Sequence, residues 1–257
     1  MARITRVRRP TVERRLLRLG QTCKDFHAQV LNQLKDRGGI RGIFQLDELE
    51  TYEQNRRLSP VTMPVLIERS SYFVIHGETA AMAARGGLSS GWEKKKKRLE
   101  KSRGVRKSGS SNSVRNSLKR LREIHKPSVG IHLQTDQKAS YRTISREILK
   151  DQLQSHSTTS SKAKRDKDNL LFPINHTFAM MRDSISRLVR RTWAASKSRL
   201  RLETHFWIWV AYRNYIRGVT VRTKTTPAQA LGVLVRAWGR VDLLRWKWPQ
   251  IGLTEGH

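Results

Sequence analysis

Phe26, Val30 and Leu34 recur at every fourth position, the repeat that lines one face of a helix. Leu16, Leu17 and Leu31 extend this apolar set through 13–37, and Gly38-Gly39 ends it. The stretch 14–38 is also long enough for two short helices, and residues 1–12 read as a basic arm. The pattern then changes to short β-branched and aromatic runs. Gly42–Leu49, Val61–Ile67 and Tyr72–His76, separated by polar turns, predict three strands. Pro64 puts the second near an edge or a bulge. From Arg85 to Ser113 the chain is mostly Gly, Ser, Lys and Arg, which predicts a loop or flexible insertion. Helical periodicity returns at Ser113–His125, where Val114, Leu118, Leu121 and Ile124 share a face, Ser113 caps the start and Pro127 stops the end. A fourth strand, Val129–Thr135, ends at Asp136, and a short helix follows at 142–150. Residues 154–169 read as a polar connection, and a long helix starts near Pro173 with Phe178, Met181, Ile185, Leu188 and Trp193 as its apolar stripe.

Three consecutive strands followed by α–β alternation fit an antiparallel meander continued by a parallel strand. The predicted class is α/β: an RNase H-like mixed sheet, three antiparallel strands continued by a parallel one, flanked by helices and ending in a helical C-terminal extension. The expected organisation is a basic arm and helical segment at 1–40 and a main domain at 41–235 with a basic flexible insertion at about 86–112. A tail occupies 236–257.

Charge narrows the partner. Lys and Arg number 52 against 21 Asp and Glu, a net +31 that calls for a polyanion, with nucleic acid the default. No apolar run approaches the ~18 residues of a membrane span, and Met1–Leu19 lacks the apolar core of a secretory signal. A single cysteine, Cys23, excludes a disulfide framework and a cysteine-based zinc finger. Cys23 and His27 stand at helical spacing and read as a partly buried thiol and a surface imidazole rather than a metal pair. Residues 94–107 carry nine basic side chains, led by Lys94, Lys95, Lys96 and Lys97, and are expected to contact DNA backbone without reading sequence. Six of the seven tryptophans lie at or after Trp193; Phe206, Trp207 and Trp209 are expected in the core rather than on a base-stacking platform.

Two carboxylates occupy informative places. Asp47 interrupts the apolar first strand, and Asp136 ends the fourth, where ligands bind in open α/β sheets. If those strands are neighbours, the two carboxylates converge across 89 residues of sequence. Facing oxygen ligands suit Mg²⁺ or Mn²⁺, and a pair of such ions suits in-line phosphoryl displacement. Asn175 and Arg182, seven residues apart on the next helix, return to nearly the same face at about 100° per residue. Asp166 and Asp168 sit in the polar loop before that helix, and Glu48 points to the other face of its strand. His132 shares the strand face of Gln134 and Asp136.

These residues together resemble the catalytic domain of bacterial insertion-sequence transposases of the DDE type, over roughly residues 42–235. The matching text is Phe44-Gln45-Leu46-Asp47-Glu48, Thr135-Asp136-Gln137-Lys138-Ala139-Ser140-Tyr141, and Ile174-Asn175-His176-Thr177 followed by Met181-Arg182. Ser186–Thr192 resembles the family's post-catalytic helix, and Thr225–Gly232 its closing phrase. The third position is Asn175 rather than the usual Glu, similar to the subgroup that uses Asp, Asp and Asn. The resemblance implies that Asp47, Asp136 and Asn175 are catalytic and hold Mg²⁺ or Mn²⁺, two ions in all, while Arg182, Arg187, Arg190 and Arg191 bind DNA. It implies cleavage and strand transfer of an insertion sequence, with element ends and target DNA as partners and a homodimer or higher oligomer on DNA. The expected location is the bacterial cytoplasm, with the nucleoid. Only 46 residues precede Asp47, so the end-binding module is expected to be short or missing, with 1–40 a helix-turn-helix remnant. The alternatives are a non-catalytic basic nucleic-acid-binding protein, such as a decayed transposase, and an RNase H-like nuclease.

Overall fold

The computed structural model describes residues 6–87, 89–160, 162–164, 166–189, 195–220 and 222–246. The elements run α1 (Arg9–Asp36), β1 (Ile43–Tyr52), β2 (Pro60–Glu68), β3 (Val74–Gly77), β4 (Ala80–Ala81), α2 (Ser90–Arg103), α3 (Ser110–Ile124), β5 (Ile131–Asp136) and α4 (Ala139–Leu149). They continue as β6 (Leu153–Thr159), α5 (Phe172–Ser184), α6 (Arg199–Tyr215), α7 (Pro227–Ala230) and α8 (Arg240–Arg245).

One six-stranded sheet has the order β3-β2-β1-β5-β6, with β4 also paired to β2. The β1–β2 and β2–β3 ladders are antiparallel; β1–β5 and β5–β6 are parallel. This is the RNase H-like arrangement predicted above, with two strands more than the hydrophobic pattern announces, the two-residue β4 and β6. β6 reads Leu-Gln-Ser-His-Ser-Thr-Thr and buries none of its residues, so it carries no apolar alternation. Its ladder with β5 sets it, and that ladder leads the chain to the end of β5.

Pro64 sits inside β2 without breaking it. β3 pairs with β2 from Val65 onward and β4 pairs at Val61 and Thr62, so the missing N–H falls between two ladders. β2 is buried along its whole length, which explains its near-continuous apolar reading.

Residues 9–36 form one continuous helix, not two, which leaves no helix-turn-helix remnant there. Its buried side includes Gly20, Cys23, His27 and Val30. Gly20 lets α1 close on α6: a Cβ there would stand 2.5 Å from Thr204 Cγ2 and 3.0 Å from its carbonyl oxygen. His27 is not a surface residue. It is buried between the Tyr215 hydroxyl (2.7 Å) and the Ile75 carbonyl (2.9 Å), and burial lowers its pKa to about 3. The rings of Trp238 and Trp246 pack on Phe26, so residues on both sides of the expected 235/236 boundary share one core.

The basic stretch expected as a loop contains α2, a helix with no buried residue. α5 ends at Ser184, short of the predicted stripe; Ile185 and Leu188 are buried in the turn beyond, and Trp193 lies outside the described residues. Phe206, Trp207 and Trp209 are buried in the core, as expected. Among the described residues no helix is long and apolar enough to cross a membrane.

Candidate functional site

Strand register brings the two aspartates together. Ile43, Phe44 and Gln45 of β1 lie opposite His132, Leu133 and Gln134 of β5; the ladder ends there, and Asp47 and Asp136 follow two residues on in their respective strands. Gln45 Nε2 donates to Gln134 Oε1 at 2.8 Å, so both side chains stand on one face of the sheet. Alternation along each strand puts Asp47 and Asp136 on that face too. Asp47, Asp136 and Asn175 line one small cavity of about 30 Å³, with Thr159 and Ser160 from the end of β6 and Asn169 and Leu171 from the loop before α5. All three predicted residues are half-buried, open enough to meet a ligand and held in place by their strands and helix.

Gln45 fixes the third member. Its side chain is fully buried and joins three segments. Besides Gln134, Nε2 donates to the Leu170 carbonyl, and Oε1 accepts the Ile174 N–H at 3.0 Å. Ile174 is in the first turn of α5, where backbone N–H groups have no partner within the helix. A glutamine of β1 thus caps the helix that carries Asn175. Asn169 ties down the preceding loop, donating to the Lys164 carbonyl (2.6 Å) and accepting the Leu171 N–H (2.8 Å). In the sequence Gln45 stands out only as part of a motif. The signal that could have found it is a polar residue two before Asp47, on the same strand face and within an apolar run.

Glu48 faces the opposite side, as predicted, and is bound there. Its carboxylate accepts from Thr62 Oγ1 (2.9 Å), Ser110 Oγ (2.6 Å), Tyr141 Oη (3.0 Å) and Lys138 Nζ. Burial raises its pKa, but the bonds from Lys138 and Ser110, the Lys138 charge and the Thr62 bond outweigh it, and the net shift is downward. Lys138 and Tyr141 belong to the turn into α4, directly after Asp136, whose Oδ1 accepts the Lys138 N–H at 2.9 Å. Glu48 therefore steadies the back of the loop whose front carries Asp136.

The donor set fits a hard divalent cation: two carboxylates and one amide line the same small cavity and offer it hard oxygen ligands. Among the described residues no group of three His, Cys, Asp or Glu is placed to hold a metal, so the third protein ligand would be the amide of Asn175. Asp166 is engaged elsewhere, accepting the Asp168 N–H (3.2 Å) and pairing with Lys164 (3.4 Å).

Arg182 does not share this cavity. With Arg187 it lines a second one, of about 410 Å³, beyond the C-terminal half of β1. Arg190 and Arg191 lie outside the described residues. Lys94, Lys95, Lys96 and Lys97 ride on α2, where Lys95 Nζ (4.6 Å from the ring centroid) and the Arg57 guanidinium (5.1 Å) each stand over the Trp92 ring. His132 is hydrogen-bonded to Ser155 (2.7 Å) and lines a groove at the opposite end of β1, away from the aspartates.

No protein-family model matches the chain, and no curated protein matches it. Solved structures similar to it include the catalytic domain of Mos1 mariner transposase, at 16% identity and TM-score 0.29, covering 78% of this chain and 92% of that one. The Mos1 transposase catalytic domain with raltegravir and Mg gives the same identity, TM-score and coverage of this chain, and 93% of its own. At that score the likeness adds nothing to what the sheet order establishes.

Proposed function

We propose that this chain is a DNA transposase of the insertion-sequence type, an enzyme of metal-dependent strand cleavage and strand transfer using Asp47, Asp136 and Asn175. One observation carries the reading. The two aspartates, one from each of two adjacent parallel strands, and the asparagine of the following helix line the same cavity. Asp47, Asp136 and Asn175 would hold Mg²⁺ or Mn²⁺, which when bound activates the attacking oxygen and neutralises charge on the phosphate.

The chain's own residues supply position. Gln45 holds α5 against β1 so that the amide of Asn175 meets the carboxylates. The Lys138 N–H holds one oxygen of Asp136 and leaves the other for the cavity. A site with two aspartates and one neutral amide carries one negative charge fewer than a three-carboxylate site. It therefore binds cations less tightly and leans more on substrate phosphate for the remaining ligands. Two such ions are the proposed complement, with substrate phosphate oxygens completing their coordination. The net charge of +31 and the exposed lysines of α2 support a DNA partner, bound first through its backbone. Element ends and target DNA are the proposed substrates, with a homodimer or higher oligomer on DNA as the proposed assembly.

The test is nicking of supercoiled plasmid in Mn²⁺ by the wild type and by Asp136→Ala. Nicking that disappears in the variant supports the reading. Equal activity in both, or none in either while both bind DNA, overturns it in favour of a non-catalytic DNA-binding protein.

A further inference from the structure

The second cavity, of about 410 Å³, is within the range of small-ligand sites and more than ten times the volume between the aspartates. Tyr52, Arg56, Arg85, Arg182, Arg187 and Leu188 line it. Its arginines come from four separate places: the β1–β2 turn, the segment after β4, the last turn of α5 and the short helical turn beyond it. Among its described lining residues the one carboxylate is Glu50, 4.0 Å from Arg85 in a solvent-exposed pair, so the lining keeps a surplus of positive charge. Val189 and Ala195 join Leu188 to make one wall apolar, beside the half-buried Tyr52 ring.

Two elements connect this cavity to the aspartates. β1 runs from Asp47 to Tyr52, about 17 Å at ~3.3 Å per residue, and α5 runs from Asn175 to Arg182, about 10 Å at ~1.5 Å per residue. Both lead in the same direction, from the small cavity to the large one. That span corresponds to about three to five steps of a B-form duplex at ~3.4 Å each, and to fewer nucleotides of an extended single strand.

We infer that this cavity is a nucleotide-binding subsite for the DNA strand that passes the catalytic residues, taking a backbone phosphate on its arginines and the attached base against Tyr52 and Leu188. Planar guanidinium groups suit a phosphate better than point charges do, and the mixed lining suits a base better than a free anion. Burial, with the Arg201 charge second, lowers the pKa of Arg187, as expected for a cation turned inward. The inference rests on the proposed transposase reading for the direction of the strand, but its test does not depend on catalysis.

The probe is a single-stranded oligonucleotide of twelve deoxythymidines carrying 5-iodouracil, irradiated on the full chain without metal, with the crosslink mapped by mass spectrometry. Crosslinking to Tyr52 is expected. It should fall at least five-fold in Arg56→Gln/Arg85→Gln, a double variant at two exposed positions that keeps the wild-type melting temperature. Inorganic phosphate and free thymidine monophosphate serve as competitors. An oligonucleotide crosslink that millimolar phosphate displaces as readily as unlabelled oligonucleotide does would show an anion site only and overturn the inference. Crosslinks confined to other aromatic residues such as Trp92, or a Tyr52 crosslink unchanged in the double variant, would overturn it too. The plasmid assay separates the two readings. A Tyr52 crosslink in a protein that never nicks leaves a strand-binding subsite and removes the enzyme. Nicking without the Tyr52 crosslink keeps the enzyme and removes the subsite.

Discussion

Replacing Gln45 by methionine tests whether the geometry of the candidate site depends on a strand side chain capping a helix. Methionine keeps the length and roughly the volume of glutamine, so the cavity term is small. The substitution removes three hydrogen bonds, to Gln134 Oε1, the Leu170 carbonyl and the Ile174 N–H, all in a fully buried setting. At a net ~1 kcal/mol each they sum to about 3 kcal/mol, and more if the orphaned groups find no water. For a chain of this size that lowers the melting temperature by roughly 6–12 °C. Urea unfolding at 25 °C measures the stability, and Mn²⁺-dependent nicking under conditions where the variant is folded measures the site. Nicking should fall further than the unfolded fraction explains, because α5 loses its register against β1 and carries Asn175 with it. Gln45→Glu separates the bonds: it can still accept from Ile174 but at neutral pH donates to neither partner, and it buries a charge. Its deficit should shrink as pH falls, because protonation restores one donor. A Gln45→Met protein within about 0.5 kcal/mol of wild type, nicking at the wild-type rate, would refute the capping argument.

The buried histidines predict an acid limit. Burial lowers the pKa of His27 to about 3 and of His76 to about 4, so the native state stays neutral while the unfolded chain takes up protons below about 6.5. Stability is therefore fully present above that value and is lost as pH falls toward the folded values, at ~1.4 kcal/mol per pH unit for each histidine; urea midpoints from pH 7 to pH 5 should drop, and less in His27→Gln. Gly77→Ala should destabilise by about 1–3 kcal/mol, since the added Cβ would stand 2.5 Å from Phe206 Cζ in the core; thermal melting checks it. Replacing Lys94, Lys95, Lys96 and Lys97 by Gln should leave melting unchanged, because α2 buries nothing, and should flatten the salt dependence of duplex binding by about 0.9 in log–log slope for each phosphate no longer neutralised. An unchanged slope would remove α2 from the DNA interface.

The sheet was legible wherever burial wrote a pattern. β1, β2, β3 and β5 are apolar because they face helices, and their runs are visible within a few residues of their true ends. β6 was not legible because backbone pairing with β5 stabilises it without apolar side chains. α2 was missed for the complementary reason. Its helix carries no apolar face, so periodicity had nothing to report and composition pointed to a loop. His27 misled because a histidine near one end of an apolar stripe reads as exposed until its two partners, Tyr215 and Ile75, arrive from 188 and 48 residues away.

The candidate site was legible for another reason: charged and amide residues inside apolar strands are costly and need partners. β1 shows how one strand serves both layers. On one face Gln45 and Asp47 point toward β5 and α5, one to hold the helix and one to meet its asparagine. On the other, Glu48 gathers Thr62 of β2, Ser110 at the start of α3, and Lys138 and Tyr141 around the start of α4. The two faces meet at the turn after Asp136, where the Lys138 backbone serves the aspartate and its side chain serves the glutamate. Glu48→Gln should therefore act on the site from behind. A neutral amide weakens the hold on the Lys138 ammonium while keeping an acceptor for Thr62 and Ser110. The expected result is a raised Mn²⁺ requirement for nicking with little loss of fold. Loss of folding without any change in metal dependence would make Glu48 a part of the core alone.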